Sequence, residues 1–285
     1  VLFSLGGSSP TNGLIMSIKN DSSSISTLNL TIGDSNSNSE IINMTALNNS
    51  ISIETWHHIA VTRRDFGFAL YVDGHLKATG YSESQFGLTN SGGFKLGANQ
   101  LGEQVLFGFI DDFRITQGHV RYFDRFKPSE YAISNVGENS DVKLLLHFEG
   151  DNNSKEIIDR GVSKLSGTSR CVGNAKISSD YSKFGGTSLY LDGTNSYCEI
   201  DNSAITWPNS FYNGPFTIES WVYFSAITPP HKMNIFAKDD SMEMYFDNDG
   251  TNDYVSVNLV DVLNTTHTFR SCLLYTSDAA DEGHC

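Results

Sequence analysis

Apolar and polar residues alternate along the chain in short runs that are separated by polar turns. The clearest runs are rich in β-branched or aromatic residues and are bounded by Gly, Asn, Asp or Ser; they cover residues 59–63, 69–73, 109–115, 188–192 and 216–224. This length and composition predict β-strands. In the last run, Phe216, Ile218, Val222 and Phe224 recur at every second position or a multiple of it. That period predicts a half-buried strand with one face on a core.

The turns between these runs indicate how the strands connect. Asp73-Gly74 separates two apolar runs, and this dipeptide tolerates the positive φ angles of a type I′ hairpin turn. Short strands joined in this way predict an all-β, antiparallel β-sandwich.

Two parts of the chain follow one another across a polar segment. Residues 128–142, which contain Pro, Gly, Asn and Ser, are interpreted as a linker between residues 1–127 and 143–270. The run at residues 2–4 resembles the run at 235–237, and in each case a polar turn and an apolar strand follow. We therefore interpret the parts as the end of one repeat unit and the beginning of the next, each incomplete.

Two incomplete units have two possible arrangements. They can complement each other in one sandwich, as in a circular permutant, or form two separate incomplete sandwiches. Because either half alone would expose an apolar sheet face and an unpaired edge, we predict the single sandwich. Residues 108–115 and 143–148 should then lie side by side in one sheet.

The C-terminal residues 271–285 are not expected to belong to either part. The run Cys272 to Glu282 resembles an in-frame translation of an adapter used in short-read sequencing libraries, and it is expected to be non-native and to pack against nothing. Without this tail only Cys171 and Cys198 remain. Two cysteines are too few to indicate a disulfide framework or a metal cluster.

Composition and charge restrict the class of partner. With 39% hydrophobic and 12% aromatic residues, the chain has enough apolar side chains for a core. Its formal net charge of −14 disfavours nucleic acid and anionic lipid as partners. No stretch approaches the roughly 20 apolar residues of a membrane-spanning helix.

Several motifs, taken in order, resemble those of a known domain family. They are residues 54–63, 70–74, 108–115 and 120–122 in the first part, and 144–150, 182–193 and 216–222 in the second. These motifs resemble laminin-G-like domains of the concanavalin A-like lectin/glucanase superfamily, truncated at both ends here. The resemblance implies a jelly-roll sandwich.

The same resemblance implies a class of function. It is closest to domains of phage tails and bacterial surface proteins, and it implies a non-catalytic carbohydrate-binding or adhesion module of a larger protein. Glycans or cell-surface polysaccharides would be the partners, and the location would be extracellular, at a cell surface or on a virion. The alternatives are a structural spacer and a degenerate relative of glycoside hydrolases.

Catalytic residues are not identified. Retaining glucanases of the superfamily carry two glutamates and an aspartate on one strand, because the nucleophile and the acid must lie about 5 Å apart. No such string occurs, and Glu219 is the one acid on its strand. The chain is therefore expected not to be an enzyme.

Asp111 and Glu149 are candidates for a structural calcium site. Asp111 lies in an otherwise apolar strand, where an unpaired charge would be costly. The family resemblance places Asp111 on a closing strand and Glu149 on an opening strand, where such residues help to hold one calcium ion. The alternative is that Asp111 pairs with Arg114, Arg121 or a backbone amide.

The remaining candidate residues have simpler interpretations. His57 and His58 are adjacent on a strand and point to opposite faces, so they are not expected to bind the same ion. Trp56 is expected to be a core or edge residue, and Asp247 to lie in a turn. Aromatic residues near predicted turns are candidates for stacking on sugars or for capping the sandwich: Phe66, Phe68, Tyr81, Phe86, Trp207, Phe211 and Tyr212.

Overall fold

The fold is all-β in the computed structural model of the chain. Full description extends over residues 54–81, 95–99, 101–134, 141–161, 169–200 and 214–226, and the backbone is described for further strands given below. These residues form strands and turns, and no helix occurs among them. Accordingly, none of them forms a helix long and apolar enough to cross a membrane.

The strands of the first part of the chain are β1 (Phe3–Gly6), β2 (Gly13–Asn20), β3 (Ser26–Asp34), β4 (Ser39–Ala46), β5 (Trp56–Arg64), β6 (Gly67–Val72), β7 (His75–Tyr81), β8 (Phe94–Leu96) and β9 (Phe107–Gln117). Those of the second part are β10 (Val142–Leu146), β11 (Arg170–Val172), β12 (Lys176–Ser178), β13 (Ser188–Asp192), β14 (Tyr197–Ile200), β15 (Phe216–Phe224), β16 (Met233–Lys238), β17 (Met242–Tyr245), β18 (Asp247–Asn248), β19 (Asp253–Tyr254), β20 (Ser256–Val260) and β21 (Thr266–Arg270). The predicted strands at 188–192 and 216–224 have the predicted bounds, and β5, β6 and β9 differ from prediction by one to three residues at their ends.

These strands form two large sheets and a short ribbon. The first sheet has the order β11-β14-β8-β1-β17-β16-β2-β3-β4-β20-β21. The second has the order β12-β13-β9-β15-β5-β6-β7, with β10 also paired to β9, and β18 pairs with β19. The pairings are antiparallel except that β21 runs parallel to β4. This architecture is consistent with a concanavalin A-like jelly roll, as predicted.

Strands from the two parts of the chain alternate within the second sheet. β15 pairs with β5 on one side and with β9 on the other. β9 also pairs with β13 and β10, and Leu144 and Leu146 of β10 lie opposite Ile115 and Phe113. The predicted juxtaposition of residues 108–115 with the strand that begins near 143 is therefore confirmed. The two parts share one sheet.

The core lies between the two sheets. Side chains with no exposed surface include Ile59, Val61, Ile110, Ile115, Ile218 and Val222 of the second sheet and Leu96 and Ile200 of the first. Gly97 follows β8, and a Cβ built on it would lie 2.4 Å from the side chain of Leu191 in β13. The sheets therefore approach closely at this point, and only glycine leaves room for Leu191.

The prediction that β15 is half-buried is wrong. All nine of its residues are buried, because chain segments cover the face of the second sheet that lies away from the core. Tyr122 belongs to one such segment and contacts Glu219, and Phe184 belongs to another and contacts Trp221. A period-two pattern records which residues face the core, but not whether a loop folds over the other face.

The predicted hairpin turn is confirmed. Asp73 and Gly74 have φ angles of 50° and 77°, which is the pair of positive values that a type I′ turn requires. A Cβ at Gly74 would lie 1.7 Å from the carbonyl oxygen of Phe126. The turn therefore needs glycine both for its φ angle and for contact with the covering segment.

One expectation lies outside the described residues and another is wrong. The tail at 271–285 lies outside the described part of the chain. Asp247, for which a turn was predicted, instead lies in the two-residue strand β18 and pairs with Tyr254 of β19.

The interleaved strands predict that the two parts of the chain stay together after cleavage between them. We propose to insert a specific protease site between Asn135 and Ser140 and to cut the folded protein. The two fragments should elute as one complex in gel filtration, because separating them would unpair β15 from β5 and β9. Elution as two separate folded species would contradict the single sandwich, and uncut protein is the control.

Candidate functional site

One face of the second sheet carries the candidate site. In β15 the residues that alternate with the core-facing ones are Thr217, Glu219, Trp221 and Tyr223. Strand register places Glu219 opposite Arg114, and Tyr223 opposite both Trp56 and Phe109. Residues directly opposite each other share a face. We call this face, which lies away from the core, the front face.

A buried charge cluster occupies the middle of the front face. Glu219 Oε1 accepts hydrogen bonds from Arg114 Nε at 2.8 Å and Arg114 Nη2 at 2.5 Å. Glu219 Oε2 accepts one from the Tyr122 hydroxyl at 2.6 Å and lies 3.1 Å from His58 Nε2. The Glu219 carboxylate is 1% exposed. We refer to His58, Arg114, Tyr122 and Glu219 as the Glu219 cluster.

A chain segment at residues 119–127 covers this cluster. The Tyr122 ring stacks on the Phe126 ring with centroids 3.6 Å apart, and the His58 ring meets both rings edge-on. The Phe126 amide of this segment donates a hydrogen bond to the Gly74 carbonyl at 2.9 Å. The Arg121 amide donates a second hydrogen bond, to Thr217 Oγ1 at 3.0 Å. Both hydrogen bonds hold the segment against the sheet.

The electrostatics of Glu219 do not suit acid catalysis. Burial alone would raise the pKa of its carboxyl, but the Arg114 charge and the hydrogen bonds from His58 and Tyr122 lower it to about 2. A general acid for glycoside cleavage needs a raised pKa and access to the substrate. Glu219 has neither, so the cluster has the properties of a structural ion-pair network.

A set of aromatic rings lies at the other end of the front face. Tyr223 contacts Trp56 at 5.6 Å, Phe109 at 5.8 Å and Tyr181 at 4.7 Å between ring centroids. Phe109 also contacts Tyr181 and Tyr190, each at 5.2 Å. We call Trp56, Phe109, Tyr181, Tyr190 and Tyr223 the aromatic patch.

The aromatic patch is accessible, unlike the Glu219 cluster. Tyr181 is 49% exposed, and Trp56 and Tyr190 are half-buried. Phe109 and Tyr223 lie beneath them with 3% and 7% exposure. Burial and a hydrogen bond with Tyr181 raise the pKa of Tyr223, so its hydroxyl stays neutral. The patch therefore presents ring faces and neutral hydroxyl groups to solvent.

Charged side chains surround the patch. The Lys176 ammonium lies 5.8 Å from the Tyr190 ring centre. Asp192 and Asp180 act electrostatically on Tyr190, where burial and these carboxylates together raise the pKa of its hydroxyl. Glu54, at the entrance to β5, is exposed and acts on Tyr223. These groups can exchange hydrogen bonds with a polar ligand that rests on the rings.

Asp111 is bound by backbone amides. Its Oδ2 accepts hydrogen bonds from the amides of Lys183 at 2.8 Å and Phe184 at 3.0 Å, and its Oδ1 accepts one from Asp112 at 2.8 Å. This is one of the alternatives that the sequence left open. Arg114, another of those alternatives, instead pairs with Glu219.

Asp111 and Glu149 flank the same loop. A Cβ built on Gly185, next to Phe184, would lie 3.0 Å from Glu149 Oε1, so both carboxyl groups border residues 183–185. The N–H groups directed at Asp111 do not fit a calcium site, since calcium takes six to eight oxygen ligands. Burial, only partly offset by the amides of Phe184 and Lys183, raises the pKa of Asp111 to about 7. Within the described residues, no three His, Cys, Asp or Glu side chains form a metal-binding group.

His57 and His58 have different partners, as expected for adjacent strand residues that point to opposite faces. His57 Nδ1 lies 2.7 Å from Asp73 Oδ2, whereas His58 contacts Glu219 on the front face. Asp73 also accepts a hydrogen bond from the His58 amide at 2.8 Å. Asp73 therefore stabilises both its own turn and the neighbouring strand.

The aromatic residues that the sequence suggested for stacking on sugars differ in their exposure to solvent. Phe66 and Tyr81 are 43% and 52% exposed and meet edge-on at the end of β6 and β7, while Phe68 is buried. Phe86, Trp207, Phe211 and Tyr212 lie outside the described residues. Trp56, expected in the core or at an edge, is half-buried at the first position of β5 and belongs to the aromatic patch.

Sequence reasoning missed both clusters of the front face. A signal was present in β15, where Thr217, Glu219, Trp221 and Tyr223 alternate with the core residues. Two aromatic residues and an acid on the face away from the core indicate that something covers or contacts that face. Which side chains on β5 and β9 complete the clusters depends on strand register, which the sequence does not reveal.

Comparison with protein families supports this architecture. Residues 1–120 match the family model described as the concanavalin A-like lectin/glucanases superfamily. The match covers β1 to β9, including Trp56, His58, Phe109 and Arg114 of the front face. No curated protein and no solved structure gives a significant match. A carbohydrate-binding or structural module of this superfamily agrees with the geometry described above.

The Glu219 cluster predicts a loss of stability in acid. Because the pKa of Glu219 falls from about 4.5 in the unfolded chain to about 2 in the fold, its contribution is complete above pH 4.5 and is lost as the pH falls towards 2. The difference corresponds to about 3 kcal/mol of unfolding free energy. Urea unfolding between pH 6 and pH 2 should show this component in the wild type and not in Glu219→Gln.

The control for this measurement is Glu156→Gln, which removes an exposed carboxyl group away from the cluster. This variant should keep the acid-dependent component of the wild type. The unfolding free energy of Glu219→Gln could instead depend on pH as steeply as that of the wild type and of Glu156→Gln. In that case the Glu219 carboxylate would not be the group that Arg114 and Tyr122 stabilise.

The contacts of Asp111 predict a structural role that does not require an ion. Asp111→Ala should lower the free energy of unfolding by about 2–3 kcal/mol, because the amides of Lys183 and Phe184 lose their acceptor. The loss should be equal in calcium chloride and in a chelator. A calcium-dependent rise in the melting temperature of the wild type that disappears in Asp111→Ala would instead support the predicted calcium site.

Proposed function

We propose that the chain is a non-catalytic carbohydrate-binding module and that glycans bind to its aromatic patch. The observation that carries the proposal is the half-exposed group of Trp56, Tyr181 and Tyr190 on the front face. We further propose that the module acts in adhesion as part of a secreted, cell-surface or phage tail protein, as the family resemblance implies.

The chemistry of the patch suits a sugar. Pyranose rings have an apolar C–H face that packs on aromatic rings, and tyrosine and tryptophan combine such a face with a polar group. The stack of Tyr181 on Tyr223, with ring planes 25° apart, provides a broad surface at the edge of the sheet. Neighbouring carboxylates at Glu54 and Asp180 are exposed and can accept hydrogen bonds from sugar hydroxyl groups.

The underlying contacts support a preformed surface. Tyr223 is packed between Trp56, Phe109 and Tyr181, so its ring is held in place before a ligand arrives. A surface that is already ordered loses little conformational entropy on binding. The patch therefore satisfies a requirement for useful affinity that scattered exposed aromatic residues do not.

The Glu219 cluster supports a binding role over hydrolysis. Its carboxylate is ionised, sealed beneath residues 119–127 and held by Arg114. Glycoside cleavage requires a second carboxylic acid near the first. The Glu219 cluster contains no carboxylic acid other than Glu219. We therefore propose no catalytic residue.

Binding to a glycan array tests the proposal. The wild type should bind a subset of glycans, and Tyr181→Ala should weaken that binding at least about tenfold, because about 1.4 kcal/mol of stacking is lost. Trp56→Ala should have an effect in the same direction. Melting temperatures of both variants should be measured to show that they remain folded.

Tyr131→Ala is the matched control, because Tyr131 is 79% exposed and does not belong to the patch. It should bind as the wild type does. Absence of binding to any glycan would favour a structural spacer, and equal binding by Tyr181→Ala would place the site elsewhere. Release of reducing sugar from a bound polysaccharide would contradict the non-catalytic assignment.

A further inference from the structure

Two cysteines face each other across neighbouring strands of the first sheet. β11 and β14 are antiparallel, and Cys171 lies directly opposite Cys198. Directly opposite residues project from the same face of a sheet. Both side chains are buried, with 8% and 0% exposure, and both are present as thiols.

The register fits the geometry of a disulfide. Opposite residues of an antiparallel pair have Cα atoms about 4.5 or 5.5 Å apart, depending on the type of pair. Disulfides span Cα separations of about 4.4–6.8 Å, so either type of pair is compatible. The two thiols are already in hydrogen-bond contact. Closing the bond therefore requires side-chain adjustment without a change of register.

We propose that Cys171 and Cys198 form a disulfide that ties the edge strand β11 to the first sheet, and that the pair is a site of oxidation by small-molecule disulfides such as oxidised glutathione. In the first step the Cys171 sulfur attacks one glutathione sulfur, forms a mixed disulfide and releases one reduced glutathione. In the second step the Cys198 sulfur attacks the Cys171 sulfur and releases the other. The two thiol protons end on the two glutathione molecules, so two cysteines are oxidised and one glutathione disulfide is reduced.

The order of the two steps follows from burial. Cys171 has some exposed surface and lies on β11, which is at the end of the strand order and, among the described strands, pairs with β14. Burial and the contact with Cys171 raise the pKa of Cys198, and a thiol with a raised pKa reacts slowly. Oxidation therefore occurs as the strands form or when β11 separates from the sheet, and the product is a structural bond rather than a rapid switch.

Mass spectrometry and thermal melting test the proposal on the full chain. The variant Cys272→Ser/Cys285→Ser leaves Cys171 and Cys198 as its two cysteines. It is incubated with oxidised and reduced glutathione in two ways, as folded protein and during refolding from urea. We expect a peptide cross-linked between Cys171 and Cys198, and a melting temperature about 10 °C above that of the reduced protein.

Cys171→Ser in the same background is the control, and its melting temperature should not depend on the redox buffer. A cross-link that forms only during refolding supports the slow route described above. The proposal is overturned if both cysteines remain alkylatable after both treatments, or if they carry glutathione instead of the cross-link. Because this readout involves no glycan, it is independent of the proposed function.

Discussion

The structure depends on the position of β15 between β5 and β9. A strand from the second part of the chain fills the centre of a sheet whose other central strands come from the first part. Without β15, both β5 and β9 would have an unpaired edge, and the core residues Ile59, Val61 and Ile115 would lose Ile218 and Val222 from the middle of their sheet. This long-range pairing makes the two parts of the chain a single folding unit.

The Glu219 cluster, together with the core residues that alternate with it along β15, favours the observed register of this pairing. Buried ion pairs often add little stability compared with apolar residues of the same size, because removing two charges from water is costly. Their effect on specificity is larger: a slip of one residue in β15 would move Glu219 to the core face, away from Arg114 and Tyr122. The cost of an unpaired buried carboxylate therefore excludes the neighbouring registers, and the same register aligns Tyr223 with Trp56 and Phe109. The buried cluster thus positions the accessible patch.

Much of the fold could be predicted from the sequence because its signals are local. The period-two runs at 188–192 and 216–224 and the Asp73-Gly74 turn depend only on neighbouring residues, and the structure contains them at the predicted positions. The pairing of β9 with β10 was also predicted, because the resemblance to jelly-roll domains implies that the opening and closing strands are neighbours. The two front-face clusters were not, because Trp56 and Tyr223 are far apart in sequence and meet only through the register of β15 on β5.

A β-bulge in β9 explains why the alternation of residues along the strand does not reveal the partners of Asp111 and Arg114. In a regular strand these residues, three positions apart, would point to opposite faces. The register shifts between Asp111 and Arg114 opposite β15, and Asp112 has a φ of 49°, which indicates a β-bulge. The bulge places Asp111 and Arg114 opposite Trp221 and Glu219, which share the front face, while Phe113 enters the core with no exposed surface.

The bulge also holds the connection between the two parts of the chain. Asp112 Oδ2 accepts a hydrogen bond from the Ile133 amide at 2.6 Å, and its Oδ1 contacts His147 Nδ1 at the end of β10. Although burial alone would lower it, the pKa of His147 is raised by Asp112, so the pair gains strength as the imidazole is protonated. One residue of the connection, Ile133, and one residue just after β10, His147, are therefore bound to the same aspartate. That aspartate has a left-handed backbone conformation because it forms the bulge. A single irregular residue in β9 thus directs Arg114 to Glu219 and anchors the chain where its two parts meet.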